Sequence, residues 1–143
     1  MKKLLNFILA ILGFAGCNVL GGGEEYGTPY ASFKVKGVVT DGKNPIENVK
    51  VKLIEMYHEN EYDRAESDIT DSQGRFEIKS GSEIFDTLRL KIVASDLNNN
   101  YQNDTANVEF YWKELSGKKK DEKWYSGSAE RTVNFTLKEK NDK

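Results

Sequence analysis

The sequence predicts an all-β fold, a seven-stranded antiparallel sandwich that follows a secretory leader and a flexible tether. Three observations predict it. From Phe33 onward apolar residues recur at every second position. Turn-forming clusters separate these runs at short intervals. No long segment carries the stripe of apolar residues that an amphipathic helix needs. Alternation of this kind marks strands with one dry and one wet face, and several such strands with regular turns read as a sandwich.

The strands follow in order. Phe33, Val35, Gly37 and Val39 alternate with Lys34, Lys36, Val38 and Thr40. Val49, Val51 and Leu53 alternate with Lys50 and Lys52, and Arg64 to Thr70 forms a weaker strand. Phe76 and Ile78 flank Glu77, and Leu88, Leu90 and Ile92 alternate with Arg89 and Lys91. Val108, Phe110 and Trp112 alternate with Glu109, Tyr111 and Lys113, which puts Trp112 in the core. Val133, Phe135 and Leu137 alternate with Thr132, Asn134, Thr136 and Lys138. The turns fall at Asp41–Pro45, Asp71–Gly74, Ser80–Ser82, Asn98–Asn100 and Ser126–Ser128.

The first residues read as an address. Lys2 and Lys3 precede the apolar run Leu4–Leu12, the pattern of a signal peptide. That run is shorter than the roughly 20 residues a bilayer span needs. It leads into Phe14-Ala15-Gly16-Cys17, which resembles the bacterial lipobox. The resemblance implies cleavage before Cys17 and lipidation of its thiol, and Cys17 is the only cysteine of the chain. Residues 1–16 are then the signal peptide and 17–32 the lipidated cysteine and tether, with Gly21-Gly22-Gly23 supplying flexibility. Residues 33–139 form the sandwich domain and 140–143 a polar tail. Each buried acyl methylene contributes about 0.8 kcal/mol to membrane attachment. Glu24 and Glu25 follow Cys17 by 24 − 17 = 7 and 25 − 17 = 8 residues, too late to weigh as a surface-export signal.

Composition excludes several function classes. The 143 residues suit one domain. Charged residues make up 31% with a net charge of −2, and cleavage at Cys17 takes this to (21 − 2) − 23 = −4. No nucleic-acid partner is expected on that balance. One cysteine and one histidine leave no disulfide framework and no two-histidine zinc site.

Two resemblances add context. Lys36-Gly37-Val38-Val39-Thr40-Asp41, then Asn44-Pro45-Ile46, and later Thr70-Asp71-Ser72-Gln73-Gly74-Arg75-Phe76, resemble the carboxypeptidase-regulatory-like domain. This resemblance implies an Ig-like, transthyretin-like topology. Gly74 supplies positive φ for its hairpin and Phe76 plugs the core. Glu25-Tyr26-Gly27-Thr28-Pro29-Tyr30, between the cysteine and the first strand, is similar to a family of lipoproteins encoded beside radical-SAM proteins in Bacteroides-type bacteria. That resemblance implies a radical-SAM protein as partner. It also implies an acidic, Gly-rich loop after the fifth strand, where this chain has Asp96–Asp104 with asparagines in place of most acids.

Candidate chemistry is sparse. Asp96, Asn98, Asn100, Gln102 and Asp104 bear oxygens at alternate positions, as a calcium loop does. An EF-hand would need Gly and Glu where Tyr101 and Asn107 stand, and two carboxylates imply weak affinity. The binding residues assigned are therefore Asp96, Asn98, Asn100 and Asp104, with no metal, no cofactor and no catalytic residue. His58 lies among Glu59, Glu61 and Asp63 without a nucleophile beside it, so it reads as a solvated loop histidine. Lys118-Lys119-Lys120, Lys123, Trp124 and Tyr125 suggest a basic–aromatic patch for an anionic glycan or headgroup. Asp121 and Glu122 interrupt it and favour a plain charged loop. The expectation is a lipid-anchored, non-catalytic binding or scaffolding protein of the outer membrane or cell surface. The alternative is a cargo lipoprotein matured by a neighbouring radical-SAM protein.

Overall fold

The computed structural model describes residues 27–83 and 86–141. The leader 1–16, Cys17 and most of the tether lie outside the described residues. Eight strands form two sheets: β1 Tyr30–Thr40, β2 Val49–Tyr57, β3 Asn60–Ile69, β4 Arg75–Glu83, β5 Thr87–Asp96, β6 Asp104–Tyr111, β7 Tyr125–Thr132 and β8 Phe135–Thr136. One sheet has the order β4-β1-β7, with β8 also on β1. The other has the order β3-β2-β5-β6 and is antiparallel throughout.

The alternating residues face one another between the sheets. Ala31, Phe33, Val35 and Val39 of β1 are buried together with Val49, Val51 and Leu53 of β2 and Leu88, Leu90 and Ile92 of β5. The rings of Phe33 and Phe110 meet across the layers with centroids 4.8 Å apart. Phe76 fills the core at 3% exposure, and Gly74 has φ of +71°. Gly37 stands where a Cβ would lie 1.7 Å from the Val133 carbonyl. This close approach lets Val133 N–H reach the Lys36 carbonyl at 2.8 Å as β1 passes from β7 to β8.

The structure departs from the sequence reading at five places. First, β1 begins at Tyr30 and not at Phe33, because Ala31 is a fully buried core residue. Second, Ser80–Ser82 is no turn; it continues β4, with Gly81 opposite Ser32. Third, Ser126–Ser128 opens β7, an eighth strand parallel to β1. Its inward positions are Gly127, Ala129 and Arg131, so no large apolar residue announces it. The Arg131 guanidinium covers the Phe110 ring at 4.7 Å where a hydrophobe would otherwise stand. Fourth, Val133, Phe135 and Leu137 are buried as expected, but only Phe135–Thr136 pairs, and it pairs parallel to β1. The chain runs on from β7 in the same direction, so the first sheet is mixed and not antiparallel. Fifth, Trp112 is 38% exposed. β6 ends at Tyr111, and a 3-10 turn over Trp112–Glu114 swings the indole out while Leu115 packs on the core.

Candidate functional site

The Asn-rich loop lies at the end of the sandwich where β1 finishes, beside the Asp41 and Asp71 turns. All three begin with an aspartate that accepts backbone N–H groups ahead of it. Asp41 Oδ1 accepts from Lys43 at 2.8 Å and Asn44 at 2.7 Å. Asp71 Oδ1 accepts from Gln73 and Arg75, both at 2.9 Å. Asp96, 9% exposed, takes Asn98 on Oδ1 at 3.0 Å, and Asn100 and Tyr101 on Oδ2 at 2.7 and 3.1 Å. These bonds, from Asn44 and then Lys43 onto Asp41 and from Arg75 first onto Asp71, hold both carboxyls below their ordinary pKa. Both Asp96 oxygens are thus occupied, and Asp104 Oδ1 accepts the N–H of Thr105. Asn98 and Asn100 are exposed. Asp96 therefore closes its own loop with three backbone N–H bonds. The closed loop in turn holds the C-terminal segment: Gln102 N–H donates to Lys138 O at 2.7 Å and Lys140 N–H to Asn100 O at 2.9 Å. Among the described residues no group of three or more His, Cys, Asp or Glu side chains is placed to hold a metal ion.

His58 sits at the tip of the β2–β3 hairpin, with φ of 55° and its ring edge-on to Tyr57 at 4.5 Å. Glu61 is paired with Lys91 and Asp63 with Lys52.

A better-formed site is a depression of about 540 Å³ on the outer face of the first sheet. Ser32 of β1 lies beside Gly81 of β4 on one side and Ser128 of β7 on the other. Ser116, bridged to Ser128, extends this row of small residues past the β7 edge. The next row is charged: Lys79, Lys34 and Glu130 stand side by side. Glu130 bridges Lys36 at 2.7 Å and Lys34 at 3.7 Å, and the Lys36 bond holds its carboxyl below the ordinary value. The preceding row is aromatic: Tyr30 and Tyr125 meet with centroids 5.4 Å apart. The result is a shallow trough with a floor of small residues and serine hydroxyls and one charged wall. Sequence reasoning missed it because Ser80-Gly81-Ser82 and Ser126-Gly127-Ser128 both read as turns. Their repetition was the available signal: the two tripeptides flank Ser32 from opposite sides.

The β4 edge of the trough is sealed by β3. Arg64 donates to Gly81 O at 2.5 Å and pairs with Glu55 at 2.5 Å. Ser80 Oγ donates to Glu66 Oε1 at 2.9 Å, and Glu77 N–H donates to Asp68 Oδ2 at 2.9 Å. Arg64, Glu66 and Asp68 stand at alternate positions, so one side of β3 covers the edge groups of β4.

The opposite end of the sandwich, where β1 begins, carries the Lys118–Tyr125 loop. Tyr30 N–H donates to Trp124 O at 2.9 Å, and a Cβ on Gly27 would touch the Trp124 indole at 2.8 Å. Lys119 bridges Glu122 at 3.1 Å, and Lys123 stands over the Trp124 ring at 5.1 Å. Among the described residues no helix is long and apolar enough to cross a membrane.

Fold and site define a β-sandwich module with an open trough of small and charged residues on one sheet. The chain belongs to the family described as Domain of unknown function (DUF6795), which matches residues 35–141. No curated protein matches it by sequence. Among solved structures, a 3-chlorocatechol 1,2-dioxygenase from Rhodococcus opacus 1CP is similar with a TM-score of 0.50 and 14% identity, over 82% of this chain and 62% of that one. A 9R-lipoxygenase from Cyanothece PCC8801 is similar with a TM-score of 0.35 and 19% identity, over 73% of this chain and 16% of that one. The chain spans less than two thirds of the dioxygenase chain, and the likeness to it concerns the sandwich alone.

Proposed function

We propose that the protein is a lipid-anchored module of the bacterial cell envelope whose work is binding or scaffolding rather than catalysis. The trough on the β4-β1-β7 sheet is the observation that carries the binding part. Its floor offers Ser32, Ser116 and Ser128 as neutral hydrogen-bonding groups, and its charged side offers Lys34, Lys79, Glu66 and Glu130. That mixture suits a polar ligand lying flat on the sheet. The single histidine sits on the β2–β3 hairpin against Tyr57 and does not line the trough. The anchor part rests on Phe14-Ala15-Gly16-Cys17 and the positive, apolar leader before it.

Intact-mass measurement of the native protein tests the reading. The expected mass is that of residues 17–143 plus the acyl groups on Cys17. An unprocessed, unacylated chain overturns the anchor. Added mass beyond the lipid replaces this reading with that of a cargo matured by a radical-SAM protein.

A further inference from the structure

We infer that the end of the sandwich where β1 begins is a membrane-contacting face, which presses its β6–β7 corner onto an anionic phospholipid surface. The inference rests on the lipid-anchor reading and gives that anchor a second, electrostatic contact.

Exposed aromatics point to it first. Tyr30 opens β1, Tyr57 closes β2, Tyr62 lies near the start of β3, Tyr111 closes β6, and Trp112 follows it. Strand directions and the short β4–β5 connection bring all of these to one end. They are 37–61% exposed, and the exposed large hydrophobics elsewhere among the described residues, Ile69 and Leu97, are aliphatic. Both tryptophans of the chain, Trp112 and Trp124, belong to this end. Amphipathic rings of this kind settle at the headgroup level of a bilayer, with an apolar body and a polar tip.

Charge points the same way once internal pairs are removed. Residues 113–123 carry five lysines and three acids, 5 − 3 = +2, in a chain of net charge −2. Lys119 neutralises Glu122, and Arg131 binds Glu114 at 2.5 Å. What remains unpaired among the described residues is Lys113, Lys118, Lys120 and Lys123 against Asp121, 4 − 1 = +3. The acids that break up the lysine run in sequence are thus partly cancelled in the fold. Unpaired lysines beside a bilayer are attracted to anionic headgroups within a Debye length. Elsewhere at the same end the charges without an ion pair among the described residues are the exposed acids Glu59, Glu83 and Asp86, while Lys91 and Lys52 neutralise Glu61 and Asp63. Positive charge is therefore confined to the β6–β7 corner, and the domain leans on that corner.

Chain length makes the contact accessible. Gly27 lies against Trp124, and 27 − 17 = 10 residues lead back to Cys17. Even fully extended, they span at most about 35 Å. An acylated Cys17 therefore keeps the Trp124 corner within reach of the headgroups.

The two tryptophans supply the readout. The acylated full-length mature protein is reconstituted into vesicles of phosphatidylglycerol or of phosphatidylcholine, each containing brominated acyl chains, and tryptophan fluorescence is recorded. Strong quenching is expected in phosphatidylglycerol, relieved by high salt and by the triple variant Lys118→Glu, Lys120→Glu, Lys123→Glu. A thermal melt confirms that the variant is folded. Equal quenching in both lipids, unquenched wild type, or a folded variant quenched like wild type would each overturn the proposal. So would binding to a soluble acidic glycan without quenching in vesicles. Failure of the anchor reading is distinct: the protein would then carry no acyl mass.

Discussion

Arg64 of β3 hydrogen-bonds the backbone carbonyl of Gly81 in β4 at 2.5 Å, across the seam where the two sheets present adjacent edges. The same guanidinium pairs with Glu55 and lies 3.5 Å from Glu66, whose other oxygen accepts no hydrogen bond among the described residues. Arg131 does the corresponding work on the far side, donating to Glu109 O at 2.7 and 3.1 Å from β7. One arginine thus closes each open side of the sandwich. The planar, multi-donor fork explains the choice, since one side chain must satisfy carbonyl and carboxylate together.

Loss of the Arg64 clasp should therefore be felt. Arg64→Ala is expected to cost about 1–3 kcal/mol, because it removes the Arg64 donor from Glu55 and Gly81 O and leaves Glu66 with Ser80 alone. Arg64→Lys should recover only part, having no fork. Urea denaturation checks this, and a cost below about 0.5 kcal/mol for Arg64→Ala would remove the clasp from the account.

Phe76 and Glu77 are neighbours on opposite faces of β4, buried and exposed respectively. Phe76→Ala should cost about 3–5 kcal/mol through the cavity it leaves. Glu77→Ala should change stability by about 0.5 kcal/mol or less, since its pairs with Lys34 and Lys79 are solvated. Similar unfolding midpoints for the two variants would contradict the packing described.

For the Asn-rich loop the expectation follows from the three backbone N–H groups on Asp96. Asp96→Ala should destabilise the domain by about 1–3 kcal/mol and loosen residues 98–101 in hydrogen exchange. Millimolar calcium should leave the melting temperature of wild type unchanged. A calcium-dependent rise of several degrees that Asp96→Ala abolishes would instead make the loop a metal site.

Stability should fall in acid, with a definite sign. Asp41, Asp63, Asp71, Glu109 and Glu130 all have folded-state pKa values below their ordinary ones. Backbone N–H bonds come first for the aspartates, the Tyr111 hydroxyl for Glu109 and Lys36 for Glu130. A group that binds protons less readily when folded contributes stability above its unfolded pKa. That contribution is lost as pH falls through the ordinary carboxylate range near 4 and on through the lower folded value. These groups are exposed, so the effect of each is modest and screened by salt. The urea midpoint measured from pH 7 downward should decline most steeply below about pH 4, and Asp71→Asn should flatten that decline.

Cys17→Ser should leave the chain without acyl mass and release it from the membrane fraction. A variant that stays in the membrane fraction, with wild type unacylated, would defeat the anchor reading.

The amino-acid sequence by itself determined the all-β class, the inward rows of β1, β2, β4 and β5, and the turns at Asp41, Asp71 and Asn98. These follow from alternation and from side chains that bond their own backbone, both of which act over a few residues. Tertiary structure decided what short-range pattern cannot express. The strand β7 exists because β1 offers it an edge and Arg131 covers Phe110 in place of an apolar residue. The trough exists because Gly81 and Ser128, 128 − 81 = 47 positions apart, are both brought to Ser32. The charge presented by residues 113–123 depends on Arg131 and Lys119 having cancelled Glu114 and Glu122. Each of these is a pairing between distant segments, settled only when the sheets close on a common core.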